Sequence, residues 1–186
     1  MARTPSNMLP LGTKAPQFTL YDTVSGTNQS LDDLKGLKGT VIMFICNHCP
    51  FVKHVNTELS KIAKDFTSKG INWVAISSND VENYPEDNPN LMKEMAINEG
   101  FIFPYLYDQT QKVAKDYDAA CTPDFYLFDD DLKLVYRGQL DDSRPGNDIP
   151  VTGKDLRDAL NALLNNSPIS DNQKPSIGCN IKWKNA

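Results

Sequence analysis

The run Gly39–Cys46, GTVIMFIC, is apolar at every position after Thr40. A half-buried strand would alternate polar and apolar residues, and a surface helix would show a polar face. A short unbroken run rich in β-branched and aromatic residues therefore predicts a strand buried on both faces. Such a strand needs a covering layer on each side. Val52, Val55, Leu59, Ile62, Ala63 and Phe66 recur at helical spacing and predict an amphipathic helix directly after it, closed by Lys69-Gly70. INWVAISS (71–78) predicts a second continuous buried strand. Asn88-Pro89 predicts a helix start and Gly100 its end. FPYLYD reads as a short strand, QTQKVAKDYD as a short helix, and DFYLFDDDLKLVYRGQL as an antiparallel hairpin around an Asp-rich turn. Thr152 and Asp155 resemble a capping box opening a last helix, whose apolar face is Leu156, Ala159, Leu160, Leu163 and Leu164. Near the N-terminus, QFTLYD and TNQSL flank the turn TVSG, a further hairpin. The alternation of strands and helices predicts an α/β fold: a mixed central sheet with helices on both faces, preceded by an N-terminal β-hairpin. We expect one domain over residues 1–186, with the rather apolar segment 166–186, ending PSIGCNIKWKNA, docked on it.

Composition narrows the function classes. The 186 residues are 40% hydrophobic and 23% charged, with a net charge of −5, an ordinary soluble composition whose acidic balance argues against nucleic-acid binding. No stretch approaches the ~18 consecutive apolar residues of a membrane span, and the first residues lack an apolar run of signal-peptide length. A cytoplasmic protein is expected. Four cysteines are too few for a disulfide scaffold in a chain this long.

Two of those four form Cys46-Asn47-His48-Cys49, where the first buried strand hands over to a helix. A helix N-terminus offers unpaired N–H groups and the positive end of the dipole. Both favour a thiolate, the reactive form of cysteine. Two cysteines three positions apart come within disulfide reach, so thiolate attack can cycle the pair between dithiol and disulfide. Pro50 disfavours a helical Cys49, so the regular helix is expected to start at Pro50 with Cys49 at the N-cap. His48 is a candidate for lowering a thiol pKa, with Lys53 and His54 adding positive charge one turn on. Two plainer readings compete: a pair of core thiols, and a soft-metal site built from Cys46, Cys49 and His48 or His54. No second ligand pair at zinc-finger spacing follows, so no metal is expected.

With Thr122-Pro123 downstream in AACTPDFYLF, the C-x-x-C resembles the redox centre of the thioredoxin superfamily. LGTKAPQFTLYDTVSGTNQSLDDLKG, AISSNDVENYPEDNPNLMKEMA and FPYLYDQTQKVAKDYDAACTPDFYLFD are similar to the redoxin branch that includes alkyl hydroperoxide reductase and thiol-specific antioxidant. The resemblance covers roughly Leu11 to Leu164, and the ending PSIGCNIKW is similar to the tail of peroxiredoxin-like members carrying C-x-x-C. It implies a thioredoxin-like fold and a cis Pro123. It also implies a Thr122 backbone open to an added substrate strand, and no bound cofactor. The partners it implies are an external dithiol reductant and a protein disulfide or a peroxide as substrate. Three departures stand out. Ile45 replaces the usual Trp, Thr40 stands where a thioredoxin carries a buried acid, and no arginine accompanies CTPDF, the later ones being Arg137, Arg144 and Arg157. In the thioredoxin-like reading Cys46 is an exposed nucleophile and Cys49 resolves. In the peroxidase reading Cys49 attacks peroxide and Cys46 resolves. The missing arginine favours Cys46 as nucleophile and thiol–disulfide exchange as the function. A non-catalytic protein-binding module and a soft-metal carrier are the alternatives of another class. Cys121 and Cys179 are candidates for further redox thiols, with a buried, inert Cys121 near the site as the favoured reading of the first. FDDDLK reads as a solvated turn, LDDSRPGND as a loop that could border a substrate groove, and Gly153-Lys154 lacks the glycine run of a phosphate loop.

Overall fold

The computed structural model describes residues 3–185. Its strands are β1 (Arg3–Pro5), β2 (Thr19–Asp22), β3 (Asn28–Ser30), β4 (Gly39–Phe44), β5 (Ile71–Ser77), β6 (Tyr105–Tyr107), β7 (Cys121–Thr122), β8 (Asp124–Asp129), β9 (Leu134–Gly138) and β10 (Ile177–Asn180). Its helices are α1 (Leu31–Leu34), α2 (Pro50–Thr67), α3 (Pro89–Asn98), α4 (Lys112–Asp116) and α5 (Lys154–Leu164).

Seven strands form one mixed sheet in the order β3-β2-β6-β5-β4-β8-β9. β4, the GTVIMF segment, lies in its interior and is buried at every position. It runs parallel to β5 and antiparallel to β8. Because side chains alternate along a strand, Val41 and Met43 join the core shared with α2, α3 and α5, while Ile42 and Phe44 join the core on the opposite face with Leu31, Val113 and Tyr117. This two-layered cover explains why the run has no polar position after Thr40. Thr40 keeps its hydroxyl satisfied by accepting from the Gly36 N–H at 3.0 Å.

The local signals held at several points. The N-terminal hairpin forms as β2 and β3. Asn88 caps α3, its side chain accepting from the N–H groups of Asn90 and Leu91, and Gly100 turns left-handed beyond it. The start of α5 differs. Its N-cap is Gly153 in a left-handed conformation, with no side-chain cap. Asp141, from the loop after β9, instead accepts from the N–H groups of Thr152 and Gly153 at 2.8 and 2.7 Å. A long-range carboxylate thus replaces the local box that Thr152 and Asp155 suggested.

A second, three-stranded antiparallel sheet, β1-β10-β7, is absent from the sequence reading. β10 pairs with β7 so that Cys179 lies opposite Thr122 and Asn180 opposite Cys121. β1 covers its other edge. The backbone of Thr122, expected to be open to a substrate strand, is therefore already paired by the chain's own C-terminal segment. Gly178 permits this approach: a Cβ there would lie 1.9 Å from the Thr122 carbonyl oxygen.

Candidate active site

β4 ends at Phe44, and the chain then carries Cys46 to Cys49 across to α2. Pro50 is the first helical residue and Cys49 the N-cap, as Pro50 required. An 18-residue helix therefore directs its positive end at the Cys49 sulfur. The Thr122-Pro123 peptide bond is cis and sits against both cysteines. Cys46 Sγ lies 3.4 Å from Thr122 Oγ1, and the Cys49 thiol donates to the Thr122 carbonyl oxygen at 3.3 Å.

Cys46 and Cys49 are both buried, 1% and 0% exposed, so the exposed Cys46 of the thioredoxin-like expectation is not what the structure shows. The cover is β10. Cys179 Sγ lies 2.8 Å from Cys49 Sγ, although 130 positions separate the two residues. Cys49 therefore occupies the centre of a cluster of three sulfurs, with Cys46 on one side and Cys179 on the other.

The electrostatics differ sharply between the thiols. Hydrogen bonding from Cys46, aided by the thiol and backbone N–H of Cys179, outweighs burial and lowers the Cys49 pKa to about 5. Cys46 is held well above the usual thiol range by its hydrogen bond to Cys49, by burial and by the carboxylate of Asp87. Burial, then the bond to Cys49, pushes Cys179 up to about 12. Cys121 is buried and burial raises it further, which suits the inert role expected of it.

Asp87 was not anticipated. It ends a single 3-10 turn, Pro85–Asp87, inside the polar segment before α3, and is fully buried beneath the C-x-x-C loop. It accepts from the Asn47 N–H (2.7 Å), the His48 N–H (3.2 Å) and Asn79 Nδ2 (2.8 Å). His48 Nδ1 lies 2.6 Å from it. Burial would raise its pKa, but His48 and Asn79 hold the carboxyl below its ordinary value. Asp87 in turn raises the pKa of His48. His48 also stacks on Tyr84, with ring centroids 5.4 Å apart. The main partner of its charge is thus the Asp87 carboxylate, with a smaller attraction to Cys49. His54 is bonded to Ser143 Oγ at 2.7 Å, away from the thiols.

Cys46, His48 and Asp87 each bring one donor atom within 4.8 Å of the others. A metal could take these three ligands, with the His48 Nδ1–Asp87 bond competing for their donor atoms. The arrangement differs from the Cys46–Cys49 pairing considered for a carrier. Among the described residues no arginine is hydrogen-bonded to Cys46 or Cys49. Arg137 is engaged by Leu9 and Gln173, Arg144 by Gln139, Asp141 and Ser143, and Arg157 by Glu58 and Asp65.

No local signal marked Asp87, because an acid in a polar, proline-rich loop reads as solvated. Only packing of that loop under residues 46–49 makes it part of the site. The same holds for Lys182, whose N–H donates to Asn79 Oδ1 and whose ammonium lies 5.6 Å from the Tyr84 ring centroid.

Comparison with known proteins bears on the fold and the family. An uncharacterized conserved protein from Geobacillus kaustophilus is 61% identical and superimposes with a TM-score of 0.98, covering 100% of this chain and 98% of that one. A secreted Mycobacterium tuberculosis disulfide oxidoreductase is 18% identical, with a TM-score of 0.60 over 78% of this chain and 96% of its own, a likeness of fold. Another Mycobacterium tuberculosis protein, provisionally named a peroxiredoxin, is 31% identical over 110 residues. That match spans 59% of this chain and 64% of the relative, a little under two thirds of its length. The AhpC/TSA family pattern matches residues 11–137. The fold is thioredoxin-like, and the chain belongs to the AhpC/TSA family.

Proposed function

We propose that the protein is a thiol–disulfide oxidoreductase working through Cys46 and Cys49, with Cys49 as the attacking sulfur. The observation that carries this reading is the position of Cys49, at the N-cap of α2 and hydrogen-bonded to its neighbouring thiols. The order is the reverse of the one favoured from sequence. The reason is the hydrogen bond between the two thiols, which favours the thiolate on Cys49 at the expense of Cys46, reinforced by the burial of Cys46 and by the negative charge of Asp87. The Cys49 thiolate attacks a substrate disulfide, forming a mixed disulfide and releasing one substrate thiolate. Cys46 then gives up its proton and attacks Cys49 Sγ, releasing the second substrate thiolate and closing Cys46–Cys49. Asp87 is the nearest carboxylate to receive that proton, the office left vacant by Thr40. An external dithiol reverses the sequence and restores the pair.

Reduction of insulin by dithiothreitol, with and without the protein, tests the reading. Wild type should accelerate it, Cys49→Ser should not, and Cys46→Ser should accumulate a mixed disulfide on Cys49. A Cys49→Ser variant as active as wild type overturns the assignment.

A second reading, a thiol peroxidase with Cys49 as the peroxidatic residue, is favoured by the same low-pKa sulfur. That no arginine among the described residues is hydrogen-bonded to Cys46 or Cys49 counts against it. Stopped-flow reaction with hydrogen peroxide separates the two: a rate far above that of a simple thiolate, with Cys49 oxidised first, selects the peroxidase.

A further inference from the structure

β10 lies where an extended substrate would lie. A strand that adds to the edge of β7 pairs with the backbone of Thr122 and places a side chain beside the reactive sulfur. β10 does so antiparallel, with Cys179 opposite Thr122 and its sulfur 2.8 Å from that of Cys49. The seating is specific. Gly178 allows the contact with the Thr122 carbonyl. Ser176 Oγ donates to the Pro123 carbonyl at 2.5 Å, and the Ile181 N–H donates to the Ala120 carbonyl at 3.0 Å. Beyond the strand, Lys182 is bonded to Asn79, which also holds Asp87. Docking the tail as a hydrophobic segment would need only Ile181 in the core. It would not need a cysteine aligned on the N-cap sulfur.

We propose that Cys179 is a third redox residue, carried by a built-in substrate strand, and that the oxidising equivalent passes from Cys46–Cys49 to Cys49–Cys179. The inference rests on the reading of Cys46 and Cys49 as a redox pair. Cys179 loses its proton and its sulfur attacks Cys49 Sγ. The Cys49–Cys179 bond forms, the Cys46–Cys49 bond breaks, and Cys46 leaves as a thiolate that takes up a proton. One disulfide and one thiol are present before and after, so no outside oxidant or reductant is consumed. The product ties the C-terminal strand covalently across the site and regenerates the Cys46 thiol. Reduction of Cys49–Cys179 by an external dithiol returns the starting state.

The test uses the full chain. Reduced wild type, Cys46→Ser and Cys179→Ser are oxidised with glutathione disulfide across a range of glutathione ratios. Each sample is quenched in acid, alkylated, digested without reduction and read by mass spectrometry. The expected result is a peptide pair joining Cys49 to Cys179 as the main linkage in Cys46→Ser, present alongside Cys46–Cys49 in wild type. Cys179→Ser should show Cys46–Cys49 alone. If Cys46–Cys49 forms while no Cys49–Cys179 pair appears in wild type or Cys46→Ser, the inference is overturned and the redox pair stands. If Cys49–Cys179 forms in wild type and Cys46–Cys49 is absent even from Cys179→Ser, Cys179 is a redox residue, the transfer from Cys46 fails, and so does the C-x-x-C reading. If no cysteine linkage forms in any variant, both are overturned.

Discussion

Removing the carboxylate of Asp87 is the sharpest probe of how the site is held. Asp87→Ala strands the Asn47 N–H and the Asn79 amide, both of which lie in buried residues. An unmet buried donor costs about 1–3 kcal/mol. His48 loses its partner but can shed its proton. The two donors together cost about 2–6 kcal/mol, which brackets the ~3–5 kcal/mol for deleting one member of a buried ion pair. A chain of this size changes its melting temperature by roughly 2–4 °C per kcal/mol, so circular-dichroism melting at pH 6 should show a fall of roughly 4–24 °C. Asp87→Asn keeps one acceptor oxygen and should lose about half as much. The pH dependence follows from the two shifts. A histidine with a raised folded pKa gives stability that is complete below about 6.5 and is lost as pH rises through its folded value. A carboxylate with a lowered folded pKa gives stability complete above about 3.9 and lost as pH falls through its folded value. The difference between wild type and Asp87→Asn should therefore peak between about pH 4 and 6.5 and shrink on both sides. A melting temperature for Asp87→Ala within 2 °C of wild type would refute the reasoning.

Three further outcomes follow from the same contacts. Thiolate absorbance at 240 nm in the reduced protein should titrate with a first midpoint at about 5. Cys179→Ala removes a hydrogen bond to Cys49 and should move that midpoint upward, so an unchanged midpoint would show that Cys179 does not act on Cys49. Gly178→Ala cannot keep the approach of β10 to Thr122. It should expose the buried sulfurs and raise the alkylation rate of Cys49 at least tenfold, and a rate equal to wild type would mean that the strand does not guard the site. Finally, Arg157 joins α5 to α2 through a half-buried Glu58 and an exposed Asp65. Arg157→Ala should cost no more than about 1 kcal/mol in urea denaturation and leave disulfide exchange unaltered. A loss of exchange in that variant would point to coupling between this face and the thiols.

The sequence alone determined what short-range physics can encode. The unbroken apolar run of β4 had to be a two-sided buried strand. The spacing of Val52 to Phe66 had to be a helix, and Pro50 placed Cys49 at its N-cap. Those three facts put a C-x-x-C at a helix N-terminus, and together with Thr122-Pro123 they carried the resemblance from which the thioredoxin-like fold was expected. Tertiary structure decided what depends on which distant segments meet. Asp87 is polar and lies in a loop, so nothing around it announces burial; only the docking of that loop beneath Asn47 and His48 gives it a charge partner and sets a carboxylate beside Cys46. The cap of α5 came from Asp141 rather than the local Thr152, for the same reason. Cys179 stands 130 residues from Cys49, and a strand's pairing partner is set by backbone hydrogen bonding that any sequence can make. Its register against Thr122, and hence the contact of its sulfur with that of Cys49, is written in the packing of β10 against β7 and not in the pattern of the tail itself.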